Sequence, residues 1–215
     1  GWIEIDKKFS SAFSKYIYGP TSRGNFGLPY QLEVLQYHGI VGTFFVEPLF
    51  STRFGSQPLE EIIGLIQGSG QEVQLHMHTE WVDESRKPLL ANTQVKRQYL
   101  FQFSLEEQKR LINIGSALLR KAGASEINAF RAGSFGFNID TLRALAANGI
   151  DFDSSYNATL FGLASGMMPD VTVVEPIKYE DIFEYPMTVF NDGMGLRHVQ
   201  LTACSFGEIE RLLWK

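Results

Sequence analysis

Short apolar runs of strand type alternate with segments of helical period over the first two thirds of the chain, and this alternation constrains its fold most. Ile40 to Val46 is a buried-type strand. Pro58, with Glu60 and Glu61 in the first turn, opens a helix through Ile62, Ile63, Leu65 and Ile66 that stops at Gly68-Ser69-Gly70. A strand follows from Gln71. After a polar loop over 82–103, Ser104 with Glu107 forms a capping box for a helix to about Ala122. Ala129 to Arg131 reads as a short strand, Asn138 caps a helix through Leu142, Leu145 and Ala146, and Ile150 to Ser154 is the next strand. Strand–helix–strand repetition of this kind predicts a parallel sheet, open or closed into a barrel. Beyond Pro169 the pattern becomes strand-rich: Val171 to Val174, Phe183 to Phe190 and His198 to Ala203.

At the other end, Ile5 to Tyr18 has helical spacing, a glycine-rich turn runs from Arg23 to Gly27, and Leu28, Leu32 and Leu35 mark a short helix closed by Gly39. The whole is 215 residues, which fits one domain with a full core. A net charge of -5 without a basic run argues against nucleic acid or an anionic membrane as the main partner. No apolar stretch approaches the roughly 20 residues that span a bilayer. The single cysteine, Cys204, excludes an internal disulfide and a CxxC metal site, and fixes no compartment.

Chemistry concentrates in Gln74-Leu75-His76-Met77-His78-Thr79-Glu80-Trp81. In a strand, Val73, Leu75 and Met77 share one face and Gln74, His76 and His78 the other; Glu80 joins the second set if the extended backbone continues. Two imidazoles and a carboxylate within five residues can converge on a divalent metal. The plain alternative is a half-exposed strand with two ordinary histidines. In parallel α/β folds chemistry gathers at the C-terminal strand ends, where Glu47, His76, His78, Arg131 and Asp153 all fall. Trp81 and Phe135 are candidates either for stacking on a ligand or for core packing. His38, at a helix C-terminus, and His198 read as structural, as does Asp153.

Four stretches, taken in order, resemble the polysaccharide deacetylase superfamily (NodB homology, carbohydrate esterase family 4). They are Gly39-Ile40-Val41-Gly42-Thr43-Phe44-Phe45-Val46, Gly70-Gln71-Glu72-Val73-Gln74-Leu75-His76, Phe130-Arg131-Ala132-Gly133 and Gly149-Ile150-Asp151-Phe152-Asp153-Ser154-Ser155. The resemblance covers roughly residues 28 to 156. It implies a distorted (β/α) barrel with a divalent metal, Zn2+ by ligand type, held by an Asp and two His, and hydrolysis of the N-acetyl group of a sugar or glycan. On this reading His76, His78 and Glu80 are the metal candidates and Arg131 orients a catalytic carboxylate. Trp81, Phe135 and Glu47 would face the substrate.

The departures are specific. The family's first Asp motif has no counterpart, and Asp6, followed by two lysines, lies in a helical segment. No late catalytic histidine is present. Glu80 stands where the second metal histidine usually is, so either His78 or Glu80 completes the pair. Ser205 with Glu208 opens a last helix that runs to Trp214-Lys215 without a stop signal. These features predict a barrel incomplete at both ends. Two other outcomes stay open: hydrolysis of another linear or cyclic amide, and a carbohydrate-binding pseudoenzyme.

Overall fold

A computed structural model describes residues 2–91 and 95–213, without the side chains of 2–7 and 212–213; the chain end at Trp214-Lys215 and the side chain of Asp6 lie outside the described residues. Helix α1 (Trp2–Phe13) continues into a π-helical turn, Ser14–Tyr18, closed by left-handed Gly19. A small ribbon, β1 (Pro20–Thr21) and β2 (Gly24–Asn25), leads to α2 (Leu28–Tyr37). Then come β3 (Thr43–Val46), α3 (Ser51–Phe54), α4 (Gln57–Gly68), β4 (Glu72–Met77), α5 (Leu105–Lys121), β5 (Ala129–Ala132), α6 (Ile139–Ala147) and β6 (Phe152–Asp153). The last third holds β7 (Ile177–Tyr179), β8 (Ile182–Glu184), β9 (Val189–Asn191), β10 (Leu196–His198) and α7 (Phe206–Glu208).

The helices start where the side chains allow. Ser104 accepts from the Glu107 N–H while the Glu107 carboxylate takes the Ser104 N–H, and Asn138 with Thr141 and Ser205 with Glu208 repeat the device. Elsewhere the strand expectations shrink. Ile40 and Val41 are exposed and precede β3, because only Thr43–Val46 finds a partner strand. The 171–174 segment forms no strand, the expected strand over 183–190 divides into β8 and β9, and that over 198–203 reduces to β10.

Six strands form the main sheet in the order β3-β4-β5-β6-β8-β7; all neighbours are parallel except the β7–β8 hairpin. The order advances in one direction along β3 to β6, without the reversal of a doubly wound sheet. Right-handed crossovers then put α4, α5 and α6 on one face. That face buries Val73, Leu75, Met77, Phe130 and Ala132. Helix α5 approaches β4 at Gly115, where a Cβ would sit 3.0 Å from Leu75 Cδ1 and 3.2 Å from Met77 Sδ. The opposite face carries Phe45, Gln74, His76, Arg131, Phe152 and Ser154. Such one-way winding belongs to barrels, yet β3 pairs only with β4 and β7 only with β8, so the sheet is open among the described residues. No helix among them is long and apolar enough to cross a membrane.

Candidate functional site

Register fixes the site. His76 of β4 is the partner of Arg131 of β5, and Phe130 is the partner of Asp153 of β6. His76 and Arg131 are therefore side by side on the helix-free face, one step from the C-terminal strand ends. His76 Nδ1 lies 2.7 Å from the Arg131 carbonyl oxygen. A carbonyl only accepts, so Nδ1 carries the proton and Nε2 keeps its lone pair. Burial pushes the His76 imidazole down to about 4, outweighing that hydrogen bond, so the ring is neutral at pH 7.

The His78 ring meets the His76 ring edge-on with centroids 4.9 Å apart. The strand ends at Met77, and Thr79–Glu84 is a 3-10 turn, so the extended backbone that would put Glu80 on the His76–His78 face does not continue. The turn nevertheless returns it to the pair: Glu80 Oε2 is 3.4 Å from His78 Nδ1 and has no hydrogen-bond partner although buried. Gly133, at the end of β5, abuts the same imidazole. A Cβ there would meet the Met77 carbonyl oxygen at 2.6 Å and His78 Cγ and Nδ1 at 2.9 Å.

Arg131 lies across the sheet. Its Nε donates to the Ser154 carbonyl at 3.0 Å, its Nη2 to Ser154 Oγ at 2.8 Å, and its guanidinium stacks 4.5 Å from the Phe45 ring centroid. Beneath it, on the helix side, Asp153 and Glu184 are buried register partners. Ser155 Oγ donates to Asp153 Oδ1 at 2.6 Å, and the Tyr156 N–H to Glu184 Oε1 at 3.0 Å. Burial raises both carboxyls, and for Glu184 the neighbouring Asp153 charge adds to it. Asp153 is half of a buried acid pair that single-residue reading missed. The signal lay in two inward-facing acids in strands that become neighbours only through the fold.

The remaining candidates divide. Glu47 is bound to backbone: its carboxylate accepts from the Leu49 and His78 N–H groups, and burial pushes it up to about 8. Trp81 packs among aromatic rings, 6.5 Å from Phe50 and 5.9 Å from Phe54 between centroids. Phe135 lies at the C-terminal end of β5, its ring 5.6 Å from that of His198, whose Nδ1 is 3.4 Å from Thr159 Oγ1. His198 is therefore close to the strand ends, which sequence position did not reveal. A cavity of about 600 Å³ occupies the N-terminal half of the helix-free face, lined by Phe45, Gln74, Phe152 and Tyr185 among others. It lies below the imidazoles, so volume does not mark the chemistry.

Two imidazole nitrogens and a nearby carboxylate fit part of a metal's needs. No set of three His, Cys, Asp or Glu among the described residues is arranged as a complete ligand group.

No family model matches the chain, and no curated protein matches it well enough to count as a relative. Among solved structures it is similar to a Mycobacterium smegmatis protein provisionally named a polysaccharide deacetylase. The TM-score is 0.53 at 20% identity, over 85% of this chain and 52% of that one. A mutant of a CE4-family pseudoenzyme matches with a TM-score of 0.44 at 17% identity, over 61% and 41%. The chain spans about half the length of the first structure and less of the second. The fold is polysaccharide deacetylase-like, as the ordered motifs of residues 28 to 156 predicted.

Proposed function

We propose that this chain carries the metal-binding core of a hydrolase that removes N-acetyl groups from sugars of a polysaccharide or glycoconjugate. The observation that carries the reading is the His76–His78 ring pair, with the Glu80 carboxylate 3.4 Å from His78 Nδ1, beside Arg131 at the C-terminal end of a one-way parallel sheet. His76, with Nδ1–H fixed on the Arg131 carbonyl, offers Nε2; His78 offers a second nitrogen; Glu80 is the nearest carboxylate. A divalent ion such as Zn2+ would supply Lewis acidity toward the amide carbonyl. Arg131 is a fixed cation beside the ligands, its fork locked by Ser154 and its flat face by Phe45. It holds the His76 ring through its own carbonyl and would favour a carboxylate or developing oxyanion on the helix-free face. Phe135 borders the strand ends and would be the aromatic that touches a sugar. Glu47 and Trp81 would act at one remove, by fixing the His78 backbone and the turn that carries Glu80.

A second reading, a carbohydrate-binding protein without turnover, is favoured by the missing third ligand among the described residues. Hydrolysis of a different amide would use the same residues. Zinc content and acetate release from N-acetylated oligosaccharides separate these. Stoichiometric zinc lost in His76→Ala and His78→Ala, with acetate released, supports the hydrolase. Sugar binding without metal or acetate supports the binder. Zinc bound equally by wild type and both variants would remove the basis of the site.

A further inference from the structure

The ladder between β5 and β6 stops early, and a serine hydroxyl is the reason. Its register covers Ala129–Phe152 and Phe130–Asp153 only. The N–H groups on the β6 side keep an even rhythm: Phe152 donates to the Asn128 carbonyl at 3.0 Å and Ser154 to the Phe130 carbonyl at 2.9 Å. In a parallel ladder bonds are evenly spaced, so the next one would run from the Ala132 N–H to the Ser154 carbonyl. The Ala132 N–H goes instead to Ser155 Oγ, at 2.9 Å.

The exchange is held from the helix side of the sheet. Ser155 is fully buried, and its hydroxyl donates to Asp153 Oδ1 at 2.6 Å. A hydroxyl has one proton, so once Asp153 has it the oxygen can only accept, and Ala132 is its donor. The residue after Ser155 is fixed as well, since the Tyr156 N–H donates to Glu184 Oε1 at 3.0 Å.

What the exchange releases is the Ser154 carbonyl. A ladder bond lies in the sheet, between the strands, whereas the Arg131 side chain rises off the helix-free face. Freed from the ladder, the carbonyl accepts from Arg131 Nε at 3.0 Å, while Ser154 Oγ accepts from Nη2 at 2.8 Å. Two donors of one rigid fork fix the guanidinium in plane and direction, with its face 4.5 Å from the Phe45 ring centroid. Nη1 stays without a hydrogen-bond partner among the described residues. The carbonyl of the same arginine lies 2.7 Å from His76 Nδ1.

We infer that Ser155 is a positioning residue: by taking the Ala132 N–H in place of the Ser154 carbonyl, it aims the Arg131 fork beside His76. The aim follows from the geometry alone; that the aimed cation serves catalysis rests on the hydrolase reading above. Ser155 itself touches neither Arg131 nor the imidazoles and acts through the carbonyl it sets free.

NMR scalar couplings across hydrogen bonds, with kinetics of acetate release from an N-acetylated chito-oligosaccharide, test both parts. In wild type the Ser154 carbonyl carbon should couple to Arg131 Nε and not to the Ala132 amide nitrogen, a measurement that needs no variant. In Ser155→Ala the coupling should move from Arg131 Nε to Ala132. In Ser154→Ala, which removes only the Nη2 acceptor, it should stay on Nε. Thermal melts check that each variant folds. An aim lost only in the transition state lowers kcat with KM within about 2-fold, by roughly 10-fold for Ser155→Ala. A wild-type Ser154 carbonyl coupled to Ala132 overturns the exchange. A folded Ser155→Ala that keeps the Nε coupling, or loses it with kcat unchanged, overturns the positioning role. Wild type with the expected couplings and no acetate released overturns the hydrolase reading and leaves the aim of Arg131 standing.

Discussion

Replacing Glu184 by Gln should make the protein's stability less dependent on pH, with a sign and slope set by the buried acid pair. Asp153 and Glu184 face one another in register and are both buried. Burial and the Asp153 charge raise Glu184 well above its ordinary value near 4.5, so the folded chain keeps a proton that the unfolded chain releases above that value. Below pH 4.5 both states are protonated and the pair costs nothing. As pH rises toward the folded-state value, the unfolded state gains about 1.4 kcal/mol per pH unit for the one proton retained. Beyond the folded-state value the penalty is constant. In Glu184→Gln the new carboxamide would keep an oxygen for the Tyr156 N–H and carry no titrating proton. Residue 184 then neither takes up nor releases a proton on unfolding. Urea unfolding of both proteins at pH 5, 6, 7 and 8 gives the difference directly, since every other group cancels. The variant should gain on wild type by about 1.4 kcal/mol per unit at the acid end of the range. A difference that does not change with pH would refute the raised Glu184 carboxyl.

Arg131→Lys should lose about 2 kcal/mol of stability, because an ammonium cannot keep both bonds to Ser154 and the stack on Phe45; denaturant unfolding measures it. Ser104→Ala should lose about 1 kcal/mol, because the Glu107 N–H at the start of α5 loses its side-chain acceptor; denaturant unfolding measures it. Gly133→Ala should lose about 1–3 kcal/mol and displace His78, because the new methyl meets the Met77 carbonyl at 2.6 Å, and backbone gives way less than a side chain does; wild-type histidine NMR shifts in a folded variant would count against it.

What the sequence made legible follows from the range of each signal. The capping boxes at Ser104 and Asn138 are complete within four residues, and α5 and α6 begin where they say. Alternation over 73–77 placed Leu75 under helices and His76 on the open face because period two is a property of one strand alone. Ile40 and Val41 failed as strand because an apolar run becomes strand only where a partner lies alongside, and β4 reaches no further than Thr43. The segment over 171–174 failed for the same reason. Barrel closure is the longest-range property of all, and among the described residues neither β3 nor β7 has a second neighbour.

The candidate residues separate along the same line. His76, His78 and Arg131 share a site because parallel register carries a strand-end position in β4 directly to one in β5. Glu80 reaches His78 by another route, a 3-10 turn, and neither spacing nor alternation encodes that return. Glu47 ends the neighbouring strand and was a fair candidate on position. Yet the His78 N–H left unpaired where β4 stops is a donor that must be satisfied, and the Glu47 carboxylate takes it. Trp81 is half-buried against Phe50 and Phe54, contacts that its place along the chain does not encode. Strand-end position therefore nominates residues for chemistry, and the unsatisfied backbone and apolar surface around them decide which are held back as support.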